Sequence, residues 1–396
     1  MQTNQMETEE QALATKWIIL LLLSLAVLLV MGTWFSASAV IPALTTAWGL
    51  GDSGRAWLTM SVQIGFVAGS LGSVLLNLAA LSTALIAGLA NSLGPALILR
   101  FLTGLFMAGV YPVGMKIIAT WTKADRGLGI GLLAGAIAFG SASPHLLNAL
   151  GGMHDWRVTL FLAAAFAALG GLVAALFVQE GPYRTPSPRF NWKYAVDILR
   201  ARELRLANLG YLGHMWELFA MWAWIAAFLL ASFKRSGIDS AWASLAAFAV
   251  IAVGGLGSLL AGKLADRLGR TTITIASLTT SGACALLVGL LYGGRPGPLT
   301  AVCLLWGFAI VADSAQFSAA ISELCQKEYV GTALTLQTSL GFLLTLVTVR
   351  LMPTLERWLG WQWAFAFLSL GPALGIWAML TLRRSPEAAK LAGGKK

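Results

Sequence analysis

Charge is what this sequence has least of. Of its 396 residues only 11% are Asp, Glu, Lys or Arg, against roughly 25% in soluble domains. With 58% hydrophobic residues, there is too little charge to clothe the surface of a soluble protein. Strict alternation of apolar and polar residues is also missing. The apolar runs are continuous and rich in Leu, Ala and Gly, which excludes a membrane β-barrel. The three cysteines, Cys284, Cys303 and Cys325, show no metal-ligand spacing and read as small apolar residues of helices. No nucleotide-binding loop, zinc-binding histidine motif or nucleophile elbow occurs. These absences leave an all-α membrane protein with no cofactor, no metal and no enzymatic chemistry expected.

Apolar runs fall near 17–43, 56–77, 81–94, 95–118, 128–150, 157–178, 206–232, 241–261, 271–292, 299–321, 330–354 and 362–382. About 20 apolar residues span a bilayer as a helix. The third run has 14 residues, roughly 21 Å of helix against a ~30 Å hydrocarbon core. It is therefore expected to be helical but to fail to cross fully. The longest polar interval, 179–205, divides the runs six and six. The expected organisation is a polar tail over 1–16, a first six-helix bundle over 17–178, a linker over 179–205, a second bundle over 206–382 and a tail over 383–396.

A net charge of +10 raises the question of nucleic acid, and the distribution of that charge answers it. If the runs alternate sides, nineteen Lys and Arg fall on the side of the two termini and six on the other, with Arg100 and Arg350 inside runs. That is the positive-inside bias, so both termini are expected in the cytoplasm of a plasma (inner) membrane, with lipid and not nucleic acid as the partner.

The most informative short stretch is Gly262-Lys263-Leu264-Ala265-Asp266-Arg267-Leu268-Gly269-Arg270, a charged, glycine-punctuated turn between two membrane-length runs. Such a turn marks a membrane surface. It closely resembles the loop signature of the major facilitator superfamily, G-x-x-x-D-R-x-G-R, with every specified position matched. The resemblance implies two pseudo-symmetric six-helix bundles around a central site. It further implies a conformational latch at Gly262, Asp266, Arg267, Gly269 and Arg270, and transport of a small molecule by alternating access. Physically, Asp266 is suited to meet a helix N-terminus or a basic partner, and Arg267 and Arg270 to hold the turn at the anionic leaflet.

The two halves repeat weakly. Ala56-Trp57 recurs as Ala241-Trp242 and Gly69-Ser70-Leu71-Gly72-Ser73 as Gly254-Gly255-Leu256-Gly257-Ser258, both 185 residues on. Gly104 then matches Gly307 at 203 and Trp156 matches Trp361 at 205. The first half is thus about 20 residues shorter after its second run, and Leu81 occupies the position of Asp266. One copy of the signature stands where the superfamily's plan has two.

Polar side chains inside apolar runs are expensive and mark pathways by default. Arg100, in Arg100-Phe101-Leu102-Thr103-Gly104, resembles the superfamily's fourth-helix R-x-x-x-G pattern and reads as an anion or proton contact, or else as an arginine snorkelling to the outer surface. His214 and Glu217, at i and i+3, share a helix face and read as a proton-coupling pair or as a buried helix tie. Asp313 and Gln316 sit mid-run in the tenth segment. By the resemblance, the first, fourth, seventh and tenth helices line the cavity, so Trp34, Arg100, Tyr111, His214, Glu217, Asp313 and Gln316 are expected to share one chamber. Asp313 and Glu217 are ranked first for coupling, and Trp34, Trp216, Trp222 and Trp224 are the tryptophans to test as cavity stackers. The function expected is proton-coupled movement of a small organic solute by a monomer. Proton-antiport efflux of apolar compounds and a non-transporting sensor or scaffold with the same fold remain alternatives.

Overall fold

The computed structural model describes residues 2–69, 76–108, 110–122, 126–152, 155–183 and 192–395. These are helical nearly throughout, with no strand among the described residues, as hydrocarbon requires of a chain that must satisfy its own backbone. The first half holds α1 (Gln2–Met31), α2 (Ser36–Ala39), α3 (Ile41–Trp48), α4 (Asp52–Gly69), α5 (Leu76–Leu89), α6 (Leu93–Met107), α7 (Val110–Trp121), α8 (Arg126–Leu147) and α9 (Trp156–Phe177). A short linker helix, α10 (Trp192–Arg200), leads to the second half. That half holds α11 (Arg202–Arg235), α12 (Ser240–Leu268), α13 (Arg270–Leu287), α14 (Pro296–Ala312), α15 (Ser314–Leu324), α16 (Val330–Leu359), α17 (Trp361–Ala364) and α18 (Leu370–Arg383). Among the described residues, nine helical stretches are long and apolar enough to cross a membrane. The remaining expected runs are α4, α5 and the α6–α7 pair.

Several boundaries differ from the expected ones, each for a local reason. The third helix covers Leu76–Leu89 and stops at Leu89 instead of running to 94; whether it crosses fully rests on residues 70–75, which lie outside the described residues. It stops there because Ser92 caps α6 and Pro95 sits in that helix's first turn, where a proline is tolerated. The polar stretch before residue 17 continues α1 without a break. The seventh span begins at Arg202, four residues before its apolar run. The segment after residue 383 is not a loose tail: Pro386–Gly394 coils back on the bundle with Ala388 and Leu391 buried.

The repeat is visible in the packing. A side chain at Gly104 would overlap the Val62 carbonyl where α6 crosses α4, and one at Gly307 would overlap the Val250 carbonyl where α14 crosses α12. Gly69 meets the Leu105 carbonyl as Gly257 meets that of Phe308. These are the small-residue crossings that hold helices together in lipid. They also correct the register. Val62 pairs with Val250 and Gly69 with Gly257, an offset of 188 instead of 185. The glycine-rich strings around 69–73 and 254–258 match in more than one frame, and only the crossing selects one.

Two spans are broken near their middle. The first passes from α1 through a turn at Gly32–Trp34 into α2, and the tenth is interrupted at Asp313 between α14 and α15. Non-helical backbone at membrane depth needs partners from the protein itself, and the first break finds them in Arg100. That side chain is fully buried. Its Nη1 donates to the Thr33 carbonyl at 2.7 Å, its Nε to the Leu58 carbonyl at 3.0 Å, and its Nη2 to the Trp34 carbonyl.

Candidate functional site

Between the halves lies a cavity of about 130 Å³. The first half contributes Met31, Trp34, Phe66, Val110, Ala134 and Ile137, and the second Tyr211, His214, Met215, Leu218, Phe219, Trp222, Val311, Ser314, Ala315, Ser318, Thr338 and Phe342. One wall is a continuous aromatic cluster. Trp34 touches Phe66, Phe342 and Phe219 at centroid distances of 4.9, 5.5 and 6.0 Å, and Phe219 touches Trp222 at 5.8 Å. Phe66 and Phe342 meet at 4.6 Å across the boundary between the halves.

His214 is the cavity's most polar feature. Its Nδ1 lies 2.9 Å from Asp313 Oδ1, and its Nε2 is 2.9 Å from Ser314 Oγ. His214 and Asp313 are both almost completely buried. The break in the tenth span produces this arrangement. Asp313 caps α14 and Ser314 opens α15, so two consecutive residues present side chains to opposite nitrogens of one imidazole. The helix that carries His214, α11, is continuous and holds the ring fixed between them.

The expected chamber is only partly assembled. Trp34 and His214 line the cavity, and Asp313 stands behind His214. The side chain of Tyr111 lies outside the described residues. Glu217 does not pair with His214. Its Oε1 accepts from Trp306 Nε1 at 2.6 Å and its Oε2 from Ser281 Oγ at 2.9 Å, so it turns into the second bundle. One helical turn separates the two residues, and that angle is enough to send one to the cavity and the other to α13 and α14. Arg100 spends its donors on backbone carbonyls and lies outside the lining. Among the tryptophans, Trp222 lines the cavity, Trp216 packs on Phe367, and Trp224 donates to the Val349 carbonyl.

Gln316 belongs elsewhere again. Its Oε1 accepts from Arg270 Nη1 at 2.9 Å, which makes it part of the signature stretch. That stretch is a helix end, not a loop: α12 runs to Leu268, and Gly269 at φ +96° is the single residue between it and α13. A positive φ there suits glycine. Asp266 reaches Arg270 at 2.9 Å, and Arg270 reaches Glu323 Oε1 at 2.9 Å. Arg270 thus turns inward instead of toward a lipid surface, while Arg267 stays exposed and Gly262 is buried within α12. The C-terminal segment joins this group. The Ala392 N–H donates to Glu323 Oε2 at 2.9 Å, and Lys395 Nζ donates to the Asp266 carbonyl at 2.8 Å.

Sequence reasoning missed Ser314, Glu323 and the phenylalanines of the aromatic wall. Phe66, Phe219 and Phe342 sit in apolar runs full of similar residues, and only the juxtaposition of α4, α11 and α16 singles them out. Glu323 lies where a run ends and carries no motif. The halves are tied by Arg357 with Asp52, by Thr345 with Gln63 at 3.1 Å and by Asn148 with Ser244 at 3.1 Å.

Comparison with known proteins agrees with this plan. A model described as Major Facilitator Superfamily matches residues 23–238 and 233–396. The crystal structure of a D-xylose-proton symporter is similar, with a TM-score of 0.71, 18% identity, and 94% of this chain and 98% of that one covered. The nucleoside transporter NupG is similar with a TM-score of 0.69, 12% identity, and 92% and 99% covered. No curated protein matches the sequence. The two-bundle architecture and the family match over nearly the whole length lead to one conclusion: the chain belongs to the Major Facilitator Superfamily.

Proposed function

We propose that this protein moves a small organic solute across the membrane by alternating access, with proton movement through His214 and Asp313 as the driving step. The observation that carries the reading is the imidazole on the cavity wall, backed by a carboxylate at a helix break and fronted by the Ser314 hydroxyl. An imidazole can both accept and release a proton, and this one stands on the wall of the cavity. The neighbouring carboxylate balances the imidazolium in a setting where an isolated charge is costly. In this scheme His214 takes its proton while the cavity faces one side and gives it up after the halves rock to the other. Ser314 exchanges its hydrogen bond between the ring and the solute. Similarity of fold to a proton symporter supports the reading. The charge bias supports placing both termini in the cytoplasm of the inner membrane, and twelve spans and a monomer complete it.

The test is uptake of a labelled solute panel into proteoliposomes, with and without an imposed pH gradient. His214→Gln and Asp313→Asn should lose gradient-driven accumulation by about tenfold or more and keep counterflow exchange, while Glu217→Gln keeps both. Full gradient-driven activity in both His214→Gln and Asp313→Asn would sink the coupling scheme. The aromatic lining favours a second reading, export of apolar compounds against protons. It predicts that deleting the protein sensitises cells to such compounds without impairing growth on any solute.

A further inference from the structure

The cavity wall carries two donors with nothing to donate to. The indole N–H groups of Trp34 and Trp222 are buried and have no hydrogen-bond partner, and both rings line the cavity and pack on Phe219. Buried polar groups are normally satisfied, so each exception asks for an explanation. Away from the cavity, Trp306 donates to Glu217 and Trp224 to the Val349 carbonyl, whereas Trp216, packed on Phe367, also has an unpartnered indole N–H. What sets Trp34 and Trp222 apart from all three is that their rings line the cavity.

Charge and size narrow what that space takes. Among the described residues no Lys or Arg lines it, and the buried Arg100 is committed to the Thr33, Leu58 and Trp34 carbonyls. A protonated His214 is already balanced by Asp313, so an anionic group would be desolvated there without a free counter-charge. A polyhydroxylated solute fares no better, because the lining is predominantly aromatic and aliphatic. The volume of about 130 Å³ is close to the ~150 Å³ of an apolar cavity known to hold one benzene ring. Rings on the wall meet at edge-to-face angles, 67° for Trp34 with Phe66 and 62° for Phe219 with Phe342, an arrangement that offers further aromatic contacts to an inserted ring.

We infer that the transported solute is a neutral, single-ring aromatic compound with a hydrogen-bond acceptor such as a carboxamide or carbonyl, its ring held by the Phe66–Phe219–Phe342 wall and its acceptor by Trp34 and Trp222. This rests on the transport reading above and names the class of solute for that same cavity.

Benzamide serves as the probe, measured by calorimetry on the full-length protein in nanodiscs. Benzoate, benzylamine, cyclohexanecarboxamide and D-xylose test charge, aromaticity and polyhydroxyl recognition in turn. Benzamide should bind saturably and at least about tenfold tighter than any of the four. Trp34→Phe and Trp222→Phe keep the ring and remove the donor, so each should weaken benzamide by about tenfold, one hydrogen bond's worth. Toluene, which has no acceptor, should bind these variants as it binds the unaltered protein, and that unchanged affinity reports an intact fold. Phe342→Trp, which fills the cavity, should abolish both ligands. Tighter binding of benzoate, benzylamine or D-xylose, or equal benzamide affinity in the Trp→Phe variants, overturns the assignment. Counterflow in proteoliposomes separates the two levels. Movement of D-xylose or benzoate with benzamide inert overturns the class and leaves transport standing. Tryptophan-dependent benzamide binding without movement leaves the class standing and overturns transport.

Discussion

The two broken spans answer the same physical problem in opposite ways. At the break after α1, the freed carbonyls of Thr33 and Trp34 are capped by a buried arginine brought from α6. At the break between α14 and α15, the residue at the gap is itself charged, and Asp313 turns its carboxylate to an imidazole on the cavity wall. The first charge is consumed by the backbone and leaves the cavity neutral. The second stands one side chain away from the cavity, behind His214. A buried ionisable group in a membrane is therefore not by itself a pathway residue. What its atoms are bonded to decides.

The largest effect should come from breaking the first arrangement. Arg100→Leu strands the Trp34 carbonyl and removes a second donor from those of Thr33, which also accepts from Ser36 Oγ, and Leu58, which lies inside α4. At roughly 1–3 kcal/mol for the stranded group and less for the other two, the protein should lose about 2–3 kcal/mol of stability and part of its folded yield. Size-exclusion profiles and thermal midpoints in detergent check this. Arg100→Lys should rescue little, because a point charge does not replace the guanidinium fork. Asp313→Asn, by contrast, should leave the midpoint nearly unchanged while removing proton coupling. Equal thermal losses in Arg100→Leu and Asp313→Asn would erase the distinction between the two breaks.

An intermediate effect tests whether the halves are equivalent where they pack. Gly104→Ala and Gly307→Ala each drive a methyl group into a facing carbonyl, Val62 or Val250. Each should cost about 1–3 kcal/mol, the usual price of overpacking, and by similar amounts. A variant that matches the unaltered protein in one half only would show that the two crossings are not equivalent.

The smallest effect belongs to the feature present in one half alone. Arg270→Ala breaks a partly exposed network with Asp266, Glu323 and Gln316, so roughly 1 kcal/mol or less is expected after solvent screening. The loss should shrink in high salt. Ending the chain after Ser385 removes the Ala392 and Lys395 contacts to the same group together with the buried Ala388 and Leu391, so it should cost more than Arg270→Ala alone, and the two combined should cost less than their sum. Full additivity of the two changes would show that the C-terminal segment and Arg270 act separately.

Much of the fold was legible because its signals are local. Continuous apolar runs, their length and the turn at Gly269 follow from the bilayer and from backbone conformation alone. The register of the repeat was not legible, because repeated glycines align in several frames and only the fit of Gly69 on Leu105 and Gly257 on Phe308 chooses among them. The site was legible as a set of residues and illegible as a set of partners. His214 and Glu217 share a helix face in projection, yet one meets Asp313 and the other meets Trp306 and Ser281.

The sequence by itself determined that this chain lies in a membrane as two repeated helical bundles and which few polar residues lie within it. Hydrocarbon imposes those outcomes on any sequence of this composition, whatever its neighbours. Tertiary structure alone decided what each buried polar group is for. A polar atom away from water takes whichever partner the packing brings within about 3 Å, and here packing gave Arg100 to carbonyls, Gln316 to Arg270 and Asp313 to the histidine of the cavity.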